Sequence, residues 1–317
     1  MNEVPLVLDV VEDPTIRRHQ IAHRLTSVER RLMRHFASRR QLVVCIGNIG
    51  AGKSSLVKLL AFNTGMNALF ELPDEGFEDH ILSDSALWPL LATAKQTVKR
   101  TLSEYYGAID GFIEAQKRHP EGSPDWVSAR HAVEKGALGI QHAYLDLRRM
   151  QLLAFPSLQH STCIDGSPLA DRYAFCEVLH RDLDISYLTA DALDVIDRRL
   201  DGEFRGLARP DLLVYLHAPL DYLFQNIRER ARSEEKDGVV LAADEGVPEG
   251  LARLVRALNV RYERFVKVLR DTGWYDGPVL RIDVSRVDFV SNVRHLIAVY
   301  EGLERLLAPG EQLGLFS

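Results

Sequence analysis

The residues with the plainest chemical purpose form one contiguous stretch, Gly47-Asn48-Ile49-Gly50-Ala51-Gly52-Lys53-Ser54. The spacing is G-x-x-x-x-G-K-S. The apolar run Leu42-Val43-Val44-Cys45-Ile46 precedes it, and a helix is expected after it from Ser54 to about Asn63, ending near Gly65. Glycines at 47, 50 and 52 let the backbone curl and turn its N–H groups inward toward an anion. The following helix, with Ser55 in its first turn, adds the positive end of its dipole. Lys53 is a point charge for a transferred phosphate, and the Ser54 hydroxyl suits Mg²⁺. A buried strand before and a helix after make the pattern specific, so it reads as a P-loop that holds ATP.

Further polar residues are candidates for the acceptor side. Glu71-Leu72-Pro73 closes a strand expected at Ala68 to Leu72. A carboxylate there could take the proton of an attacking hydroxyl; it could also be a solvated turn residue. Gln141 and Arg148 lie seven residues apart in GIQHAYLDLRR. On a helix they share one face, about 10 Å apart along the axis, and both could converge on a planar group. Asp165 ends a second apolar run, and Asp171-Arg172-Tyr173 follows it. Arg230 and Arg232, with Glu235 three residues on, sit in a charged stretch that by itself could be an exposed helix face. Asp288 and Phe289 follow the last strand candidate, and Phe289 could equally be core.

Together these residues resemble the deoxynucleoside kinase family, over about Gln41 to Leu307. The resemblance implies that Glu71 is the base acting on a nucleoside 5′-hydroxyl. It makes Gln141 and Arg148 readers of the nucleobase edge, Asp171 the partner of Arg148, and Asp165 the acid near Mg²⁺. Arg230 and Arg232 would clamp the phosphates from a lid at about 229–236, Glu235 would touch the sugar, and Asp288 and Phe289 would lie beside adenine. The chain departs from the pattern at Gly166, where the family has Arg, and at Ala231, where the lid has Gly. The family's sugar-binding Tyr is not found at its usual distance before Gln141. The implied function is transfer of the ATP γ-phosphate to the 5′-hydroxyl of a deoxynucleoside, with purines or deoxycytidine ahead of thymidine. The alternatives are a nucleoside monophosphate kinase and a non-catalytic nucleotide-binding subunit.

Such a site needs a scaffold. Apolar runs at Leu42 to Ile46, Ala68 to Leu72, Thr162 to Asp165, Leu212 to Leu216 and Val279 to Asp283 alternate with helical stretches. That alternation predicts an α/β fold: a five-stranded parallel sheet with helices on both faces and the P-loop strand in the centre. The expected organisation is an N-terminal helical extension at 1–40, a kinase domain at 41–310 and a helical insert at about 79–125. The extension reads as a surface helix beside the sheet or as a partner-binding helix.

The chain has 317 residues, 46% of them hydrophobic, and a net charge of −6, so a general attraction to nucleic acid or anionic membrane is not expected. Three cysteines without a CxxC pair argue against a disulfide framework or a zinc site. Cys45 and Cys163 read as core thiols. No apolar run reaches the roughly 20 residues of a membrane span, and early acidic residues do not suit a secretory signal. A cytoplasmic protein is expected, and the resemblance allows a homodimer formed through helices.

Overall fold

The computed structural model describes residues 3–6, 18–71, 87–183, 186–230, 247 and 249–307. The strands are β1 (Glu3–Pro5), β2 (Leu42–Gly47), β3 (Asn67–Leu69), β4 (Thr162–Asp165), β5 (Leu212–His217) and β6 (Val279–Asp283). They form one sheet in the order β1-β6-β5-β2-β4-β3, and every pair is parallel. The P-loop strand β2 is flanked by β5 and β4, as expected.

The sheet has six strands, not five. The extra one is β1, which pairs Glu3 to Pro5 with Val279 to Arg281 at the sheet edge. Three residues, one of them proline, show no periodicity a sequence reading could detect. Proline is tolerated there because an edge strand need not donate on its outer side. β3 also departs from the expected Ala68 to Leu72. It pairs only through Leu69, so Phe70 and Glu71 lie past its end.

Nine helices among the described residues accompany the sheet: α1 (Arg18–Ser38), α2 (Lys53–Thr64), α3 (Trp88–Arg118), α4 (Pro124–Ala154, followed by a 3-10 turn at Phe155–Ser157), α5 (residues 168–182), α6 (Ala190–Phe204), α7 (Leu220–Arg230), α8 (Glu249–Asp271) and α9 (Val293–Leu307). Alternate strand residues point to opposite faces, and two separate cores result. Leu42, Val44, Ile46, Ile164, Leu213 and Tyr215 join α3, α4, α5 and α6. Val43, Cys45, Cys163, Leu212, Val214 and Ile282 join α1, α2, α7 and α9. Helices therefore lie on both faces, and Cys45 and Cys163 are fully buried.

Local chemistry sets the helix ends. α4 starts at Pro124 because the Ser123 hydroxyl accepts from the Trp126 N–H and proline suits the first helical position. α2 stops at Gly65, whose φ of +71° places it in the left-handed region. α5 opens at Pro168–Ala170 and continues with π-type turns at Asp171–Cys176 and Val178–Asp182. α1 is tied to the end of the chain by two bidentate ion pairs, Arg24–Glu301 and Arg31–Glu304. α1 thus packs on α9, while β1 extends the sheet beyond β6.

The lid expected at about 229–236 falls almost wholly outside the described residues, as do residues 72–86 ahead of the α3 hairpin.

Candidate active site

β2 ends in the glycine-rich loop. Gly47, Gly50 and Gly52 have φ of +151°, +82° and +82°. A Cβ on Gly47 would lie 2.5 Å from the Leu216 carbonyl oxygen, and one on Gly50 would lie 2.8 Å from that of Leu223. Gly47 and Gly50 are required both by conformation and by close backbone approach, and Gly52 by conformation. The loop is braced from outside. Asn226 Nδ2 donates to Gly50 O at 2.9 Å, Asn48 Nδ2 donates to Val255 O at 2.9 Å, and Asn48 Oδ1 accepts from the Ile49 N–H at 2.8 Å. No side chain caps α2, whose N-cap is Gly52, so its first-turn N–H groups are left for an anion. Lys53 Nζ donates to the carbonyls of Gly47 and Asn48, at 3.1 Å each.

Above the loop opens a cavity of about 980 Å³ at the carboxyl ends of the strands. Such a position is expected of a parallel sheet whose neighbouring connections run to opposite faces. Gly50 to Ser55 line one end; Glu71, Gln141, Arg148 and Asp171 line the other.

Asp165, at the end of β4, accepts from Ser54 Oγ at 2.5 Å through Oδ2. Its Oδ1 is buried with no hydrogen-bond partner. A bare buried carboxylate oxygen is costly unless a cation or water meets it. Ser54 and Asp165 therefore fit a hard cation that completes its shell with phosphate oxygens and water, as Mg²⁺ does. No group of three or more His, Cys, Asp or Glu residues among the described residues could form an all-protein metal cage.

The acceptor end is a buried charge network centred on Arg148, which is 2% exposed. Its Nε donates to Asp171 Oδ2 at 3.1 Å and its Nη2 to Glu71 Oε2 at 3.0 Å. Its Nη1 donates to the Asp165 carbonyl at 2.8 Å and to Gln151 Oε1 at 3.2 Å. Those bonds use four of the five guanidinium N–H groups. The expected pairing of Arg148 with Asp171 is present, but Arg148 directs its donors to protein acceptors and keeps at most one for a nucleobase.

One cation between two carboxylates, Asp171 buried and Glu71 half-buried, cannot satisfy both equally. Burial pushes the Glu71 carboxyl up, yet the charges of Arg148 and Lys53, with hydrogen bonds from Tyr144 and Arg148, more than offset it. Glu71 is held below the ordinary carboxylate range. Asp171 is pushed up to about 6, chiefly by burial and then by the Glu71 charge, against the pull of Arg148. Glu71 is thus ionised at neutral pH, while Asp171 exchanges a proton near it.

Gln141 lines the cavity from α4 with 4% exposure, its Oε1 accepting from Cys176 Sγ at 3.4 Å. Asp288, Phe289, Val290 and Ser291 line the opposite end. Phe289 is 4% exposed and packs in the core, while the Asp288 carboxylate holds the N–H groups of Val290 and Ser291. Arg172 faces away and pairs with Asp197 and Glu177. Arg230 is the last residue of α7, whereas Arg232 and Glu235 lie outside the described residues.

The structure adds residues that the sequence reading passed over. Tyr105 and Tyr106 from α3, Tyr144 from α4 and Tyr262 from α8 line the cavity. The Tyr105-Tyr106 pair sits on the first helix of the α3–α4 hairpin, so an aromatic on the helix preceding Gln141 was the available signal. Gln151, fully buried, is three residues past Arg148 and on the same helix face.

A sequence model of the deoxynucleoside kinase family matches residues 43–307. A deoxyadenosine kinase of Lactobacillus acidophilus is 24% identical over 254 residues, covering 80% of this chain and 90% of that protein. The solved structure of deoxyadenosine kinase from M. mycoides, with the products dCMP and a flexible dCDP bound, aligns with a TM-score of 0.50 at 17% identity, covering 83% of this chain and 97% of that one. That structural likeness speaks for the fold, and the family model, which spans most of the chain, speaks for descent. The chain belongs to the deoxynucleoside kinase family.

Proposed function

We propose that the chain transfers the γ-phosphate of ATP to the 5′-hydroxyl of a deoxynucleoside, with a purine deoxynucleoside or deoxycytidine preferred over thymidine. One observation carries the reading: a half-buried carboxylate, Glu71, paired with Arg148 at 3.0 Å, shares a single cavity with a braced P-loop. ATP lies with its phosphates on the backbone of Gly47 to Ser55 and its base toward Asp288 and Phe289. Lys53 meets the transferred phosphate, and Arg230 and Arg232 close on it as charge develops. Ser54 and Asp165 hold Mg²⁺, which neutralises phosphate charge. Glu71 accepts the proton of the 5′-hydroxyl, and Glu235 holds the sugar.

Recognition of the base falls mainly to Gln141 and Asp171. Gln141 offers one donor and one acceptor. Asp171, with its pKa near 6, can accept from an exocyclic amine or donate to a ring nitrogen. Adenine, guanine and cytosine each present a ring nitrogen acceptor beside an exocyclic group. Thymine presents a ring N–H between two carbonyls. The relative from Lactobacillus acidophilus, named a deoxyadenosine kinase, supports the purine side of this reading.

The test is an ADP-release screen across the four deoxynucleosides and their monophosphates. Deoxyadenosine, deoxyguanosine or deoxycytidine is expected to exceed thymidine by roughly tenfold or more, since a buried polar group left unpaired costs about 1–3 kcal/mol. Equal rates with thymidine would remove the assigned roles of Gln141 and Asp171. Turnover only on monophosphates would make the chain a monophosphate kinase, and no turnover on any of them would favour a binding subunit.

A further inference from the structure

Gly166, where a resemblance to the family would place Arg, is occupied from elsewhere. Its φ is +95°, and a Cβ built on it would lie 2.2 Å from Arg148 Nη2, 2.7 Å from Cζ and 3.0 Å from Nη1. The guanidinium cannot swing aside at low cost, because Asp171, the Asp165 carbonyl, Gln151 and Glu71 hold it from four directions. The backbone at Gly166 is itself fixed, its N–H donating to the Cys45 carbonyl at 2.9 Å.

Gln151 completes the arrangement. Its side chain is fully buried and both ends of the amide are used. Oε1 accepts from Arg148 Nη1, and Nε2 donates at 3.0 Å to the carbonyl of Phe70, the residue just before Glu71. α4 therefore grips the end of β3 twice. Arg148 takes the Glu71 carboxylate, and Gln151 takes the backbone from which that carboxylate projects.

We infer that Gly166, Arg148 and Gln151 form a clamp that aims Glu71 at the acceptor hydroxyl, with Gly166 contributing the space into which the Arg148 guanidinium packs. All three are positioning residues, and the inference rests on the reading of Glu71 as the base. Among the described residues, the other charged or titratable groups facing Glu71 or its arginine include Lys53 from α2, Tyr144 from α4, Asp165 from β4, Asp171 from α5 and Tyr262 from α8. Gln151 Nε2 donates to the Phe70 carbonyl, so Gln151 supplies the backbone half of the clamp.

The test compares kcat and the ATP KM of the whole chain with those of Gly166→Ala, Arg148→Met, Gln151→Leu and the Gly166→Ala/Arg148→Met double variant. Misaiming a reacting group by about 1 Å can cost as much as 10²-fold. Each single variant is therefore expected to lose at least about tenfold in kcat with the ATP KM within twofold of the parent. The double variant is expected to be no slower than Arg148→Met, because the added methyl acts only through the guanidinium it displaces. Full kcat in a folded Gly166→Ala protein, or losses that multiply in the double variant, would overturn the clamp. If Gly166→Ala does not fold, Gln151→Leu decides: an unchanged kcat overturns the inference. Glu71→Gln separates the two levels. A collapse of kcat there with no change in Gly166→Ala and Gln151→Leu removes the clamp alone, whereas full kcat in Glu71→Gln removes the base and the clamp together.

Discussion

The two ends of the cavity are built by different means. The phosphate end is backbone: eight consecutive residues curl because three of them are glycine, and its donors are main-chain amides at the start of α2. The acceptor end is side chains brought in from afar. Glu71 follows β3, Arg148 and Gln151 come from α4, Asp171 comes from α5, and the Arg148–Glu71 contact spans 77 positions. The contrast teaches where a site is robust. A backbone cradle depends on conformation, and Lys53 is its one titratable side chain. A buried network with one guanidinium and two carboxylates depends on packing and on protons.

The largest expected effect breaks the phosphate end. Lys53→Ala removes the point charge while leaving α2 helical, and it should lower kcat by roughly 10²–10³-fold with the melting temperature within a few degrees of the parent. Steady-state rates and a thermal melt check both halves; near-normal turnover would take Lys53 out of the reaction.

Gly47→Ala attacks the same end through its backbone. The new Cβ would meet the Leu216 carbonyl at 2.5 Å, a backbone atom within the sheet. A stability loss of about 1–3 kcal/mol is expected, of the size seen for overpacking. Urea denaturation measures it, and an unchanged midpoint would show that the strand pair can open at no cost.

The comparison sharpens with pH. Asp171 is raised from 3.8 to about 6, so the folded chain holds this proton more tightly than the unfolded chain. Its contribution to stability is full below pH 3.8 and is lost as pH rises through about 6. Asp171→Asn cannot lose that proton, so its melting temperature should gain on the parent between pH 5 and pH 8. The nucleoside KM of the parent should change across the same window, while its ATP KM stays flat because no such group lines the cradle. A nucleoside KM that is equally flat would contradict the division between the ends. Glu71 is shifted the opposite way and stays ionised throughout.

The smallest effect lies away from both ends. Arg24 and Arg31 pair with Glu301 and Glu304 at side-chain exposures of 17–31%. Replacing either arginine with alanine should cost about 1 kcal/mol or less and leave kcat unaltered. A loss of turnover would tie α1 to catalysis.

The same contrast explains what could be read from sequence. The P-loop was legible because its glycines, lysine and serine are contiguous and each has one physical reason to be there. β2, β4, β5 and β6 were legible as short apolar runs, buried on both faces. Gln141, Arg148 and Asp171 could be placed in the cavity by helical spacing and by resemblance. The direction of the Arg148 donors could not, because it depends on Gly166 and Gln151, which are separate in sequence and unremarkable in type. Gly166 read as a loss, yet in the fold it is the space that the guanidinium occupies. β1 was invisible because three residues carry no period and their partner lies at the far end of the chain. The tyrosines of α3 were missed because the hairpin that carries them is set by tertiary packing and not by a fixed offset from Gln141.

The most direct test of the account is the Glu71→Gln variant, assayed with ATP, Mg²⁺ and deoxyadenosine by following formation of the 5′-monophosphate. The amide keeps the shape and removes the base. A fall in kcat of about 10²–10⁴-fold, the worth of a general base, with the deoxyadenosine KM changed only a few-fold, is the predicted result. A kcat equal to that of the parent, or an effect confined to KM, would contradict it, because Glu71 would then only position the nucleoside.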